Sequence, residues 1–364
     1  MNIRDVAGQR MHNQRLIGAA FETPEAMIRW HGAVQAQDYA GAKWGIGQRC
    51  HSVTDAELDR LFNEGAILRT HVMRPTWHAV MPEDIRWMQA LTAHRVHAMN
   101  RAVAKTLELD DAVVAKSTTL ITNALQDGNH LTRTELSDAL RLGGIEATGQ
   151  RLAYLVMHAE LEALICSGPR RGKQFTYALL DERVPPTNPL HHRDEALAEL
   201  ARRYFTSHGP ATPHDFSWWS GLTVAVARAG IAMLGHELAS ELIDGTTWHF
   251  PSAASFETAQ LPVVHLLPNF DEYFIGFRNR EPVFVPAMLA TFNDPHSPYW
   301  MAHVIALDGL IVGGWRQTLA RDKVIITTTL PAELNATGRD ALLTAAEGYG
   351  RFLGLPVRFD AGDV

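Results

Sequence analysis

The pattern of apolar and polar positions is clearest in the middle third of the chain. Thr132 and Glu135 have the spacing of a capping box, which predicts that a helix begins there. A second helix follows, because apolar residues recur on one of its faces: Leu152, Leu155, Val156, Ala159 and Ala163. The segment Gly168–Gly172 then predicts a turn before a strand of alternating side chains that ends at Leu179. Two helices followed by a hairpin predict a winged helix-turn-helix.

The same order of elements recurs before and after this segment, without close sequence identity between the copies. In the earlier copy Thr54 caps a helix, and the runs Ile67–Val72 and Thr76–Met81 predict a hairpin. In the later copy Thr212 caps a helix, and Asp244-Gly245 predicts a type I′ turn between two strands. We therefore predict three copies of the winged helix in tandem.

The pattern changes from about residue 261 to short β-rich runs. These runs predict a small β-barrel, and a helix is predicted from Asn335 to Leu353. The segment Pro185–Pro189 predicts a linker. The predicted fold class is therefore α+β, with three tandem winged helix-turn-helix domains followed by a small C-terminal β-barrel. The predicted domains cover residues 1–105, 106–184, 190–255 and 261–364.

Charge narrows the choice of partners. The 364 residues carry a net charge of −7, but residues 1–180 hold 20 Lys and Arg against 19 Asp and Glu, whereas residues 181–364 hold 13 against 21. All of the excess negative charge is therefore C-terminal. Binding to nucleic acid remains compatible with this balance if it is confined to the first half of the chain.

The cysteines and the first residues of the chain indicate the cellular compartment. Cys50 and Cys166 are far apart in sequence and provide neither a disulfide framework nor a cysteine zinc site. The first residues lack the apolar region of a signal peptide, and no run approaches the ~18 apolar residues that a membrane span needs. We therefore expect a cytoplasmic protein that does not associate with membranes.

Motifs for nucleotide hydrolysis, dinucleotide binding and esterase chemistry are absent from the sequence. His236-Glu237 begins a zincin-like pattern, but Ser240 stands where the second histidine must be. His94 and His97 are three residues apart, yet no carboxylate at metal-ligand spacing accompanies them. We therefore predict that the protein uses no metal or other cofactor, which weakens the hypothesis of a metal-dependent hydrolase.

One segment of the first copy does not fit a plain winged helix, because residues 34–45 form a long insertion between two predicted helices. If this segment is extended, Gln35 and Gln37 point to the same side, while Ala36 faces the core. Two carboxamides directed at one spot can hold a single water molecule. Alternatively, the two glutamines cap the preceding helix or contact the DNA backbone.

Several motifs resemble those of the AlkZ-type bacterial DNA glycosylases: Val34-Gln35-Ala36-Gln37-Asp38, His71–His78, Leu266–Tyr273 and Gly314-Trp315-Arg316. The resemblance follows the same order along nearly the whole chain. It implies tandem winged helices, a C-terminal β-barrel and a catalytic loop marked by Gln-aliphatic-Gln or Gln-aliphatic-Asp. This sequence has the first form, so Gln37 stands where a subgroup of the family has a carboxylate.

The resemblance implies that the protein removes alkylated or cross-linked purines from double-stranded DNA, acting as a monomer in the nucleoid. A purine alkylated at N7 or N3 is already cationic, so its N-glycosidic bond breaks toward an oxocarbenium-like sugar without an acid. Gln35 and Gln37 would then position the attacking water, and Asp38 is the reserve candidate for a general base. The competing hypothesis is a non-catalytic winged-helix DNA-binding protein or regulator.

Residues predicted on loops or wings are candidates for binding the DNA backbone: Lys43, Arg49, Arg74, Thr76, Arg170, Arg171 and Lys173. Trp218 and Trp219 could stack on bases, although packing in the core is the favoured interpretation. Four further residues could either form an internal hydrogen-bond network or bind a ligand: Asp271, Glu272, Tyr273 and Arg316.

Overall fold

The computed structural model describes residues 2–184, 192–253, 262–285, 288–289 and 303–361. The predicted linker Pro185–Pro189 lies outside these residues. The fold is mixed α+β, in agreement with the predicted class. It comprises two compact units, each built from separate stretches of sequence: Met1–Leu58, Ala201–Trp219 and Val224–Val364 in the first, and Asp59–Leu200 and Ser220–Thr223 in the second. The four predicted domain boundaries stay a prediction.

The N-terminal helices begin where local capping signals predict. Helices α1 to α4 cover Ile3–Asn13, Pro24–His31, Tyr39–Gly47 and Asp55–Glu64, and strand β1 covers Val34–Gln35. The Thr23 hydroxyl accepts the backbone N–H of Ala26 at 3.1 Å, which fixes the start of α2. The Thr54 hydroxyl likewise accepts the N–H of Glu57 at 3.2 Å at the start of α4, so the predicted cap is confirmed.

Helix α3 begins within the insertion at residues 34–45, so the extended conformation considered for this segment ends at Gln35. Glycine is a poor helix former, and the glycines of α3 conceal the helix from a prediction based on pattern. The same glycines permit close packing. A Cβ on Gly45 would lie 3.1 Å from Asp271 Oδ2, and one on Gly47 would lie 2.6 Å from a ring carbon of Phe352. Tertiary packing, not propensity, therefore determines this helix.

The second unit contains the hairpin of the first copy and the whole middle copy. Helices α5 to α9 cover Ile85–Thr106, Asp111–Leu125, Arg133–Leu142, Gly149–Leu161 and Leu180–Arg183. Strands β2 to β6 cover Leu68–Val72, Arg74–Val80, Leu131–Thr132, Ile165–Ser167 and Thr176–Leu179. The capping box of Thr132 and Glu135 is present, with N–H···O distances of 2.7 and 3.3 Å. From α6 to β6 the order is helix, strand, helix, helix and hairpin, so the predicted helices and hairpin are present and the short strand β4 was not predicted.

The later copy has three helices followed by a hairpin. Helices α10 to α12 cover Arg193–His208, Pro213–Ser220 and Val224–Leu234, and strands β7 and β8 cover Leu238–Ile243 and Thr246–Pro251. Between these strands Asp244 and Gly245 have φ values of 48° and 77°. A type I′ turn requires positive φ at both positions, so the predicted turn is confirmed.

The C-terminal part forms a curled, half-barrel sheet. Strands β9 to β13 cover Val264–Leu267, His303–Leu307, Leu310–Leu319, Val324–Thr329 and Val357–Ala361, in the order β13-β12-β11-β10-β9. Helices α13 and α14 cover Glu272–Ile275 and Ala336–Leu353, so the helix predicted from Asn335 to Leu353 is confirmed, with Asn335 as its N-cap. No helix in the described ranges is long and apolar enough to cross a membrane.

The packing of α3 predicts opposite effects for two glycine-to-alanine substitutions. Gly47→Ala should lower the free energy of unfolding by about 1–2 kcal/mol, because the new methyl group overlaps the buried Phe352 ring. Gly8→Ala in α1 is the control, since nothing lies within 4 Å of its added Cβ, and it should stabilise the protein by up to about 1 kcal/mol. Urea unfolding measures both changes. Equal stability of the two variants would contradict the tight packing of α3.

Candidate functional site

The predicted catalytic segment connects strand β1 to helix α3. Gln35 is 5% exposed and Ala36 is fully buried, so the alanine faces the core as predicted, whereas Gln37 is exposed. The strand ends at Gln35, and a bend at Gln37 and Asp38 leads into α3. The alternation expected of an extended segment therefore does not reach Gln37, and the two glutamines lie in different environments.

The backbone of this segment is held by a buried carboxylate. Glu272 is 1% exposed, and its Oε1 accepts the backbone N–H of Gln35 at 2.7 Å. Its Oε2 accepts the indole N–H of Trp219 at 3.0 Å and lies 3.3 Å from Nε2 of His208. Burial lowers the pKa of His208, and the hydrogen bond with Glu272 opposes that shift. A buried carboxylate needs several such partners to offset its lost hydration.

A second buried carboxylate lies next to the first in sequence. Asp271 receives two hydrogen bonds from the guanidinium of Arg49, at 2.7 and 2.8 Å, and both side chains are 1% exposed. The remaining N–H groups of this guanidinium donate to Gln14 and to the carbonyl oxygen of Gly45. Asp271 and Glu272 therefore belong to an internal hydrogen-bond network, which was one of the two interpretations that the sequence left open.

Two of the predicted phosphate ligands are buried. The Arg49 guanidinium has its charge neutralised by Asp271 and its hydrogen bonds made within the protein. Lys43 lies in α3, not on a loop, where its Nζ is 2.7 Å from Asp55 Oδ1 and its side chain is 4% exposed. Neither side chain is therefore exposed, and the predicted position of Lys43 on a loop is wrong. Pattern alone did not reveal it, because burial of a charge depends on a tertiary partner.

Asp38 has a structural role at the start of α3. Its Oδ1 accepts the backbone N–H of Gly41 at 3.1 Å, the geometry of an N-cap. Its carboxylate also acts electrostatically on His303, whose pKa is lowered by burial and raised in part by Asp38. His303 accepts the backbone N–H of Asn269 at 2.7 Å. Neither His208 nor His303 was predicted as a site residue from the sequence, although the motif Leu266–Tyr273 pointed to this region.

Core packing, the interpretation favoured for the two tryptophans, holds for Trp219 but not for Trp218. Trp219 is fully buried, as favoured, whereas Trp218 is 43% exposed and donates its indole N–H to the carbonyl oxygen of Ile275 at 2.9 Å. The Tyr273 hydroxyl donates to the carbonyl oxygen of Gly309 at 2.7 Å. Arg316 is exposed on strand β11.

The first hairpin, in the second unit, carries Arg74 and Thr76. A guanidinium nitrogen of Arg74 lies 3.3 Å from Nε2 of His78, and Nδ1 of His78 lies 3.0 Å from the carbonyl oxygen of Thr76. His71, on the partner strand, is buried with its Nδ1 2.5 Å from Glu160. His71 is therefore part of the interior, while Arg74 and Thr76 are half-buried.

The second hairpin carries the other predicted cations. Arg170 pairs with Asp59 at 3.2 Å, and Arg171 pairs with Glu135, whose pKa it lowers to about 2. Lys173 is exposed at the tip. Arg171 and Lys173 are exposed, whereas the side chain of Arg170 is only 20% exposed, and both arginines already have acidic partners.

Neither cysteine suits nucleophilic catalysis. Burial raises the pKa of Cys50 and of Cys166 to about 12, so both remain thiols at neutral pH. The thiolate is the nucleophilic form. A covalent mechanism through cysteine is therefore disfavoured.

The sequence matches the model of a known family, described as DNA glycosylase AlkZ-like, over residues 28–352. The chain belongs to this family. The structure of the Streptomyces sahachiroi DNA glycosylase AlkZ is similar to this chain, with a TM-score of 0.80 and 22% sequence identity over 99% of this chain and 100% of that chain. This likeness shows a shared fold. A comparison with curated proteins finds no match.

The family resemblance inferred from the motifs is thereby confirmed. The matched range contains the segment Gln35–Asp38 as well as Asp271 and Glu272. Membership of the AlkZ-like family supports a DNA glycosylase activity, with DNA as the substrate.

The buried network predicts a large difference between two aspartate substitutions. Asp271→Ala should lower the free energy of unfolding by about 3–5 kcal/mol, because it leaves the buried Arg49 charge without its partner. Asp138 pairs with Arg141 but its side chain is 57% exposed. Asp138→Ala should therefore lower the free energy of unfolding by less than about 1 kcal/mol. Urea unfolding at neutral pH measures both values. A loss for Asp271→Ala no larger than that of the control would contradict the importance of this ion pair.

Proposed function

We propose that this protein is a monofunctional DNA glycosylase that hydrolyses the N-glycosidic bond of alkylated or cross-linked purines in double-stranded DNA. The observation that carries the proposal is the AlkZ-like family match over a range that includes Gln35-Ala36-Gln37, together with the hydrogen bond that fixes Gln35 to Glu272. The reaction needs no metal or other cofactor.

In the proposed reaction the lesion supplies the activation. The alkylated purine is cationic, so the bond from C1′ to the base breaks with its electron pair passing to the base, which leaves as a neutral molecule. Water attacks C1′ of the oxocarbenium-like sugar and loses a proton, which produces an abasic site. The protein must position this water and stabilise the developing positive charge.

Gln35 and Gln37 are the proposed catalytic residues. The exposed Gln37 is accessible to substrate and solvent, and its carboxamide oxygen can accept a hydrogen bond from the attacking water. Gln35 has its backbone fixed by Glu272, which we assign as a positioning residue. Asp38 stays the reserve base, because its carboxylate already accepts the capping hydrogen bond of α3.

We further propose that the three recurring helix–helix–hairpin segments act as winged helices that bind the DNA backbone. The candidates on their hairpins are Arg74, Thr76, Arg170, Arg171 and Lys173, whereas the buried Lys43 and Arg49 are excluded. The ion pairs of Arg170 and Arg171 with acidic side chains would be exchanged for contacts with phosphate. We propose that the protein acts as a monomer in the nucleoid.

The role of the glutamines predicts a loss of catalysis without a loss of binding. Gln35→Ala and Gln37→Ala should each slow excision of N7-methylguanine from a duplex by about tenfold to a thousandfold, the range for losing one oriented polar group. The single-turnover rate with saturating enzyme reports catalysis, and fluorescence anisotropy reports binding, which should barely change. Gln37→Asp should retain activity or change lesion preference, because a carboxylate can act as a base.

The control for this experiment is Asp38→Asn, which removes the charge but keeps a good N-cap. It should excise at nearly the rate of the unmodified protein. If Asp38→Asn is inactive while both alanine variants excise at the normal rate, Asp38 replaces the glutamines in the mechanism. If the unmodified protein excises none of the alkylated bases tested, the chain is a non-catalytic DNA-binding member of its family.

Contacts with phosphate predict a steep dependence of DNA affinity on salt. The double variant Arg170→Ala, Arg171→Ala should reduce the steepness of log K against log salt concentration by about 2, since each lost phosphate contact removes about 0.9 from the magnitude of the slope. Arg351→Ala is the control, because this exposed arginine of α14 pairs with Glu347, and its slope should be unchanged. An unchanged slope for the double variant would exclude the second hairpin from the DNA-binding surface.

A further inference from the structure

Three potential metal ligands converge in the second unit. His97 lies on α5, His158 lies in the last turn of α8, and Glu162 follows the end of α8. One ligand atom from each lies within 4.8 Å of the others. His97 Nε2 is 2.8 Å from Glu162 Oε1, and the two imidazole rings are 4.9 Å apart between centroids.

The backbone positions of these residues are fixed by apolar packing. His158 and Glu162 are four residues apart, which places them on one face at the end of α8. Helices α5 and α8 are joined by a buried cluster of residues that neighbour the ligands in sequence: Ala93, Val96, Met157 and Leu161. The third ligand, His97, is therefore held opposite the other two by packing that does not depend on them.

The local charge distribution favours a cation at this place. Glu162 donates its backbone N–H to the carbonyl oxygen of His158, at the end of α8 where helical carbonyl groups leave a partial negative charge. The Glu162 carboxylate supplies a full negative charge.

We propose that His97, His158 and Glu162 bind one divalent ion of the zinc type. Two imidazole nitrogens and one carboxylate oxygen suit Zn²⁺, Co²⁺ or Ni²⁺, whereas Mg²⁺ and Ca²⁺ prefer all-oxygen ligands. Ligand atoms around a tetrahedral Zn²⁺ are about 3.3–3.4 Å apart, since each bond is about 2.0–2.1 Å. Small rotations of the half-exposed side chains bring them to that separation, and a water molecule completes the coordination.

The proposed ion ties α5 to α8 and takes no part in the proposed glycosylase reaction. The sequence shows no carboxylate at ligand spacing from His94 and His97 along the chain. The structure brings a carboxylate to His97 from elsewhere, because His158 and Glu162 belong to the region of a different helix, α8.

Binding of Co²⁺ and Zn²⁺ to the full chain tests the proposal. After treatment with a chelator and its removal, one equivalent of Co²⁺ should produce the visible absorption of a low-coordinate complex, and Zn²⁺ should displace it. Zn²⁺ at about 100 times its Kd should also raise Tm by at least about 2 °C. Excision activity is measured separately, with and without chelator, so failure of the metal site and failure of the glycosylase function are distinguishable.

Three variants locate the ion. His97→Ala and His158→Ala should each weaken Co²⁺ binding at least tenfold, because even partners outside the direct ligands cost about 10–100-fold. His94→Ala is the matched control, an exposed histidine on the same helix outside the group, and it should bind as the unmodified protein does. The proposal is overturned if no Co²⁺ binds at micromolar concentration, or if the His97 and His158 variants bind normally.

Discussion

The first unit depends on the burial of two carboxylates that are adjacent in sequence. Asp271 and Glu272 are both buried, and like charges so close together are unfavourable unless each has its own partners. Asp271 has a cation, Arg49, in a bidentate ion pair. Glu272 has the neutral donors Gln35 and Trp219, with His208 beside them. Each carboxylate therefore fixes a different part of the surrounding chain.

This arrangement determines how the segment Gln35–Asp38 is presented. The backbone of Gln35 is fixed by Glu272, which is 237 residues away in sequence, and α3 is fixed by its glycines and by Asp38. Both ends of the segment are thus held by the interior, while Gln37 is exposed between them. A backbone held on both sides restricts the positions that the Gln37 side chain can reach, which favours the proposed positioning of water.

The features that sequence predicted well are local ones. The caps at Thr54 and Thr132, the type I′ turn at Asp244-Gly245 and the helix after Asn335 each depend on residues a few positions apart. Helix α3, the burial of Lys43 and Arg49, and the three potential metal ligands depend on contacts between distant segments. Propensity and spacing contain no information about such contacts, so only motif resemblance pointed to the region around Glu272.

The two carboxylates also differ in the groups that hold them. Arg49 neutralises Asp271, whereas the donors to Glu272 named above are neutral groups, and burial lowers the pKa of the neighbouring His208 imidazole. Glu272 Oε1 lies 2.7 Å from the backbone nitrogen of Gln35 and so fixes the end of strand β1. In the mechanism that we propose, the lesion already carries the positive charge that activates the leaving base, so Gln37 would need only to orient water, for which a neutral amide is sufficient.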